Sequence, residues 1–198
     1  ATLDKQAISQ EQIEKWHEQN YNALLLAGLR PINKTLKERA LREVINYYTQ
    51  NQDFLSRIKE AEVDVSVEKE DYIISGNIDL LMGEGDEFEI LDFKTQKKPE
   101  KDSSLIDSYF KQLCLYAYIL RERYNKPVRK MYIYWTSEDK RKDALMELQY
   151  SKDKIDEAAE HFDKIVKKIK ERHFKVEQTR DTEKVCMECD FRFYCSKN

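Results

Sequence analysis

Apolar and polar residues alternate cleanly from Ala61 to Glu68. Val63, Val65 and Val67 fall on one side, and Glu62, Asp64, Ser66 and Glu68 on the other. A period of two predicts a half-buried strand. Two more strand-like runs follow, Tyr72 to Met82 and Glu87 to Lys94. They are joined by Gly83-Glu84-Gly85-Asp86-Glu87, whose glycines signal a hairpin turn. A fourth strand is predicted over Val128 to Trp135, and a short edge strand over Ala144 to Tyr150. Helical spacing governs the rest. Residues 9 to 27 carry Ile13, Trp16, Tyr21, Leu24 and Leu25 behind a capping pair, Ser9 and Gln12. Residues 34 to 49 place Leu36, Ala40, Leu41, Val44, Ile45 and Tyr48 on one side. Residues 104 to 124 do the same with Tyr109, Leu113, Tyr116, Ala117, Leu120 and Tyr124. Residues 152 to 172 form the last stripe, with Ile155, Ala158, Phe162, Ile165, Val166 and Ile169. This order predicts an α/β fold, a mixed central sheet with helices on both faces.

Composition adds bounds. The chain has 198 residues, 40% of them hydrophobic and 37% charged, with only 4 Gly and 3 Pro. That suits one domain with a real core and no long flexible linker. Three consecutive parts are expected within it: a helical part over 1–60, an α/β core over 61–150, and a final helix with a cysteine-bearing tail over 151–198. No apolar run reaches membrane-spanning length and no secretory leader is visible, so the expected location is cytoplasmic, with no membrane partner. The chain opens at Ala1 without Met, and a fragment of a longer protein is expected. The net charge of -3 does not advertise a nucleic-acid binder. Basic residues are concentrated locally, however, over 94–101, 121–130 and 140–142.

The candidate chemistry sits where the third strand ends. Phe88, Ile90, Asp92 and Lys94 share one face of it, so an apolar face ends in a carboxylate and an amine. If the hairpin pairs, Asp79 on the preceding strand comes within reach of Asp92. Two carboxylates and a lysine can hold a hard divalent cation and an activated water, as phosphodiester hydrolysis needs. The bland alternative is a solvated Asp–Lys pair at a strand end. Gln112 and Tyr116 lie one helical turn apart on the following helix, where they can reach the same face and contact a phosphate, a water or a base. Ordinary helix packing is the competing reading for Tyr116. The tail Cys186-x2-Cys189-x5-Cys195 clusters three thiols and suggests a soft metal, zinc or an iron–sulfur cluster. Cys114 reads as a small core residue and His17 as a solvated helix residue.

Taken together, Gly76-Asn77-Ile78-Asp79, Asp92-Phe93-Lys94-Thr95 and Gln112-Leu113-Cys114-Leu115-Tyr116 resemble the successive motifs of the PD-(D/E)xK nuclease superfamily, RecB-like branch. The likeness is greatest to the nuclease region at the C-terminus of UvrD/Rep-like DNA helicases. The resemblance implies a restriction-endonuclease-like core over 61–150 and a metal-dependent deoxyribonuclease of a helicase-nuclease in DNA repair or recombination. Asp79, Asp92 and the Phe93 carbonyl would bind Mg2+ or Mn2+. Lys94 would be catalytic, Gln112 and Tyr116 would position substrate, and Glu62 would support them. The tail resembles part of an iron–sulfur staple, so Cys186, Cys189 and Cys195 would ligate a [4Fe-4S] cluster or Zn2+ with a fourth ligand outside this chain. The implied partners are single-stranded or unwound DNA ends and an ATP-dependent helicase region of the same parent protein. The alternative is a weak or inactive nuclease-fold module that binds DNA or protein.

Overall fold

The computed structural model describes residues 8–101, 103–173 and 182–193. The chain divides into two compact units, residues 1–158 and 159–198. The element order is α1 (Gln10–Leu26), α2 (Lys34–Gln50), α3 (Gln52–Leu55), β1 (Ile58–Glu68), β2 (Ile73–Met82), β3 (Phe88–Lys94), α4 (Ser104–Tyr124), β4 (Val128–Trp135), α5 (Arg141–Ala144), β5 (Leu145–Leu148), α6 (Lys152–Lys170) and α7 (Thr182–Glu188). No helix among the described residues is long and apolar enough to cross a membrane.

Five strands form one sheet in the order β1-β2-β3-β4-β5. Every neighbouring pair is antiparallel except β3 and β4, which run parallel. Parallel neighbours need a crossover, and α4 supplies it. The sheet is mixed and carries helices, as a restriction-endonuclease-like α/β fold requires. One face packs Leu80, Met82, Leu91, Tyr132 and Tyr134 against Phe54 of α3 and Ala144 of α5, with Tyr47 of α2 alongside. Alternation sends Ile90, Asp92, Met131 and Ile133 to the other face, which is covered by α4. Leu113, Cys114, Ala117, Ile119 and Leu120 of α4 are buried.

Local chemistry explains the boundaries. Ser9 caps α1 by accepting from the Gln12 N–H at 3.2 Å, and Asn33 caps α2 by accepting from Leu36 N–H at 2.9 Å. Asn125 ends α4 in the left-handed conformation at φ 49, a conformation asparagine tolerates. Arg141 on α5 holds Asp53 of α3 with two bonds of 2.7 Å. The expected stripe on the last helix holds only in part. Ile155 and Ala158 are buried, whereas Ile165 and Ile169 are exposed. β1 begins at Ile58, earlier than the alternating pattern, because a register shift between Ile58 and Glu60 interrupts the period.

The β2–β3 hairpin depends on Gly83. Its φ is +139, and a Cβ there would lie 2.0 Å from the Glu87 carbonyl oxygen. Gly85 also has a positive φ of +55, but a Cβ there meets open space. Gly83→Ala should therefore lower stability by well over the ~1 kcal/mol expected of Gly85→Ala, where only backbone strain is added. Urea unfolding of the two variants checks the ranking, and equal midpoints would contradict it.

Candidate active site

The hairpin brings two aspartates level. The β2–β3 ladder pairs Met82 with Glu89, Leu81 with Ile90 and Leu80 with Leu91. The next position in that register sets Asp79 opposite Asp92. There the main-chain ladder gives way to a side chain: Asp79 Oδ2 accepts from the Phe93 N–H at 2.6 Å. On its other side β3 stays paired to its end, with Lys94 opposite Trp135, and Thr136 N–H donates to the Lys94 carbonyl at 3.0 Å.

Asp92 is buried at 4% exposure, at the end of a core face. Its Oδ2 lies 2.5 Å from the Lys94 ammonium. Burial pushes its carboxyl above the usual range; the Lys94 charge opposes this, and Asp79 adds to it. A buried carboxylate whose desolvation a single ammonium does not offset, with a second carboxylate beside it, suits a hard divalent cation. The Phe93 carbonyl is a further oxygen donor of the same kind.

Lys94 is gripped from α4. Its Nζ donates to Gln112 Oε1 at 3.3 Å and lies 4.3 Å from the centre of the Tyr109 ring. Gln112 Nε2 in turn donates to the Tyr116 hydroxyl at 2.8 Å. An ammonium only donates, so the amide oxygen must face Lys94 and the NH2 must face Tyr116. Burial raises the Tyr116 phenol above its ordinary value, so it stays protonated and keeps a proton to donate. Tyr116 approaches β2 at Gly76, where a Cβ would lie 2.4 Å from ring atom Cε1. Only glycine admits the ring there. The glycine of Gly76-Asn77-Ile78-Asp79 therefore serves the tyrosine of the next helix.

A second set of contacts went unread in the sequence. Thr136 Oγ1 donates to Glu43 Oε2 at 2.5 Å, Arg39 Nε donates to Glu43 Oε1 at 2.7 Å, and Arg39 Nη2 donates to the Thr95 carbonyl at 3.3 Å. With the Thr136–Lys94 main-chain bond, this closes a ring that ties α2 to the backbone on either side of the Lys94–Thr95 peptide. Tyr109 was equally unmarked, since it reads as one member of an apolar stripe. Its place one turn before Gln112 was the available signal.

The remaining candidates stand differently. Glu62 is exposed on β1, level with Asp79 between the pairs Ala61–Leu80 and Val63–Ile78, with a left-handed φ of 53. His17 is half-buried on α1. Cys114 is buried, and burial pushes its thiol up to about 11, so it behaves as a protonated core residue. Cys186 and Cys189 are free and half-buried in the second unit, with Cys189 N–H donating to the Cys186 carbonyl at 3.4 Å. Cys195 lies outside the described residues. No group of three or more His, Cys, Asp or Glu side chains poised for a metal is assembled among the described residues.

The basic stretch 121–130 lies at the opposite end of β3 from Asp92 and Lys94. Val128 pairs with Phe88 at the start of β3, six residues before Lys94. At ~3.3 Å per residue the two ends are about 20 Å apart. Its charges are also engaged: Arg121 pairs with Asp156 at 2.6 Å, Arg129 pairs with Glu87, and Arg123 Nη1 donates to the Ser66 carbonyl at 3.0 Å. Residues 97–101 follow closely on the end of β3 that carries Asp92 and Lys94.

Sheet order, crossover and paired carboxylates define a restriction-endonuclease-like α/β protein. The chain belongs to the PD-(D/E)XK nuclease superfamily, whose family model matches residues 2–196. Members typically use divalent metals and act on nucleic acids. Among solved structures, the chain is similar to a crystal structure named as a putative exonuclease from Eubacterium rectale. The TM-score is 0.53 at 13% identity, covering 89% of this chain and 78% of the other. No curated protein matches the sequence significantly.

Three outcomes are expected. Gly76→Ala should displace the Tyr116 ring and lower the urea midpoint, and Tyr116→Ala in the same background should restore part of the loss; an additive double variant would contradict the clash. Without metal, Asp92→Asn should melt no lower than the parent, because the buried charge is removed. Mn2+ should raise the melting temperature of the parent but not of Asp92→Asn, as read by differential scanning fluorimetry.

Proposed function

We propose that the protein is a metal-dependent deoxyribonuclease, with Asp79, Asp92 and the Phe93 carbonyl as the Mg2+ or Mn2+ ligands. The observation that carries this is the connected chain Asp92–Lys94–Gln112–Tyr116, which draws a carboxylate, an amine, an amide and a phenol from β3 and α4 to one strand end. When bound, the cation would neutralise phosphate charge and lower the pKa of a water. Lys94 supplies a positive charge beside the attacked phosphate and a donor for the developing oxyanion. Gln112 fixes that ammonium through its amide oxygen. Tyr116 offers its remaining proton to a phosphate oxygen, and Asp79 holds the Phe93 amide so that the adjacent carbonyl is kept in place. Glu62 acts in support, through charge at the level of Asp79.

Single-stranded or unwound DNA ends are the proposed substrate, delivered by an ATP-dependent helicase region of the same parent protein during repair or recombination. The exposed Lys97 and Lys101 beside the site support phosphate contacts there. The spacing of Cys186, Cys189 and Cys195 supports a soft metal in the tail, as a [4Fe-4S] cluster or Zn2+ completed by a ligand from outside this chain. Elemental analysis of anaerobically purified protein, compared with Cys189→Ser, reads that assignment.

Labelled single- and double-stranded DNA incubated with Mn2+ should be cut by the parent. Asp92→Ala and Lys94→Ala should each lose at least about a hundredfold in rate, the scale of removing a catalytic electrostatic group. Equal cutting by all three overturns the assignment. DNA binding without cutting by the parent would establish the binding-module reading instead.

A further inference from the structure

We infer that Tyr109 is a positioning residue of this site, holding the Lys94 ammonium through the face of its ring. The inference rests on the nuclease reading of Lys94 and adds a residue to it. Tyr109, Gln112 and Tyr116 lie at successive turns of α4, so one helix face presents a ring, an amide and a phenol to the end of β3. The Lys94 ammonium has three hydrogens and three neighbours: Asp92 Oδ2 at 2.5 Å, Gln112 Oε1 at 3.3 Å and the Tyr109 ring at 4.3 Å from its centre. The lysine side chain is only 16% exposed, so water does little of this work.

The three partners are not equivalent. A cation taken up by Asp92 competes with Lys94 for the same carboxylate. The contact with Asp92 therefore weakens in the loaded site, when the ammonium must be held most firmly. An amide oxygen and an aromatic face still attract the ammonium. Tyr109 thus keeps Lys94 aimed when its strongest partner is shared. The ring, not the hydroxyl, carries this role, so phenylalanine suffices.

Tyr109→Phe and Tyr109→Leu are compared with the parent, and Lys94→Met is combined with Tyr109→Leu. Tyr109→Leu should lower kcat roughly tenfold with KM within about twofold, and Tyr109→Phe should keep at least half of the parent kcat. In urea unfolding of the metal-free protein, the midpoint loss from Tyr109→Leu should shrink in the Lys94→Met background, a coupling that general helix packing would not produce. Tyr109→Phe as slow as Tyr109→Leu overturns the inference in favour of a hydroxyl contact. A raised KM with unchanged kcat overturns it in favour of base stacking, and additive stability losses overturn it outright. A parent that cuts no DNA overturns the nuclease reading itself; a parent that cuts while Tyr109→Leu cuts equally overturns only the role of Tyr109.

Discussion

The buried pair of Asp92 and Lys94 is the constraint on which the surrounding structure depends. A carboxylate at 4% exposure next to Ile90, itself fully buried, loses its hydration. One ion-pair contact does not recover that loss, and burial still leaves the Asp92 carboxyl raised. Apolar residues at the same two positions would pack at less cost. The pair is therefore a poor way to stabilise a sheet, and its cost is of the kind that sites of function carry. Its presence requires donors and acceptors from elsewhere, and α4 must lie with its first half over the end of β3 to provide them.

Topology meets that requirement. Because β3 and β4 are parallel, α4 leaves the Asp92–Lys94 end of β3 and returns the chain to the opposite end. Tyr109 and Gln112 fall in the half of the helix nearer the Asp92–Lys94 end, Tyr116 follows one turn after Gln112, and the turn at Asn125 lies beside the start of β3, where Phe88 N–H donates to the Pro127 carbonyl at 3.4 Å. One crossover thus separates the sheet into a chemical end and a structural end. At the chemical end β2 contributes a carboxylate in place of a ladder bond. At the structural end Arg121, Arg123 and Arg129 are used up in contacts with Asp156, Ser66 and Glu87.

Much of this was legible in the sequence, because the informative signals are local. Parity along one strand puts Asp92 and Lys94 together, a two-glycine turn brings Asp79 level, and a four-residue spacing aligns Gln112 with Tyr116. The strand from Val128 to Trp135 and the helix from Ser104 to Tyr124 match the sequence pattern residue for residue. What was not legible is long-range. Glu43 and Arg39 look like an ordinary ion pair along a helix, and their other partners, Thr136 and Thr95, lie 93 and 56 positions away. Tyr109 was hidden for a different reason: a ring that packs and a ring that holds a cation have the same spacing. The hydrophobic stripe of α6 holds only in part because periodicity marks which residues could be buried and does not say what covers them.

Net charge misleads in the same way. A chain at -3 ought to repel a polyanion, yet attraction at a site is decided within about a Debye length, ~8–10 Å at physiological salt. The acids of β1, among them Glu60, Glu62 and Asp64, are exposed on an edge strand, where like charge also discourages pairing with another sheet. At the end of β3 the balance differs. Lys94, Lys97, Lys98 and Lys101 follow one another within eight residues, and Arg39 reaches the Thr95 carbonyl from α2. Lys98 is committed to the Asp143 carbonyl at 2.7 Å and to the Trp135 ring, but Lys97 and Lys101 are exposed. Clustered cations and two carboxylates thus stand together at one strand end, whatever the sign of the chain as a whole. The average over the whole chain conceals that arrangement because it sums charges spread over many Debye lengths.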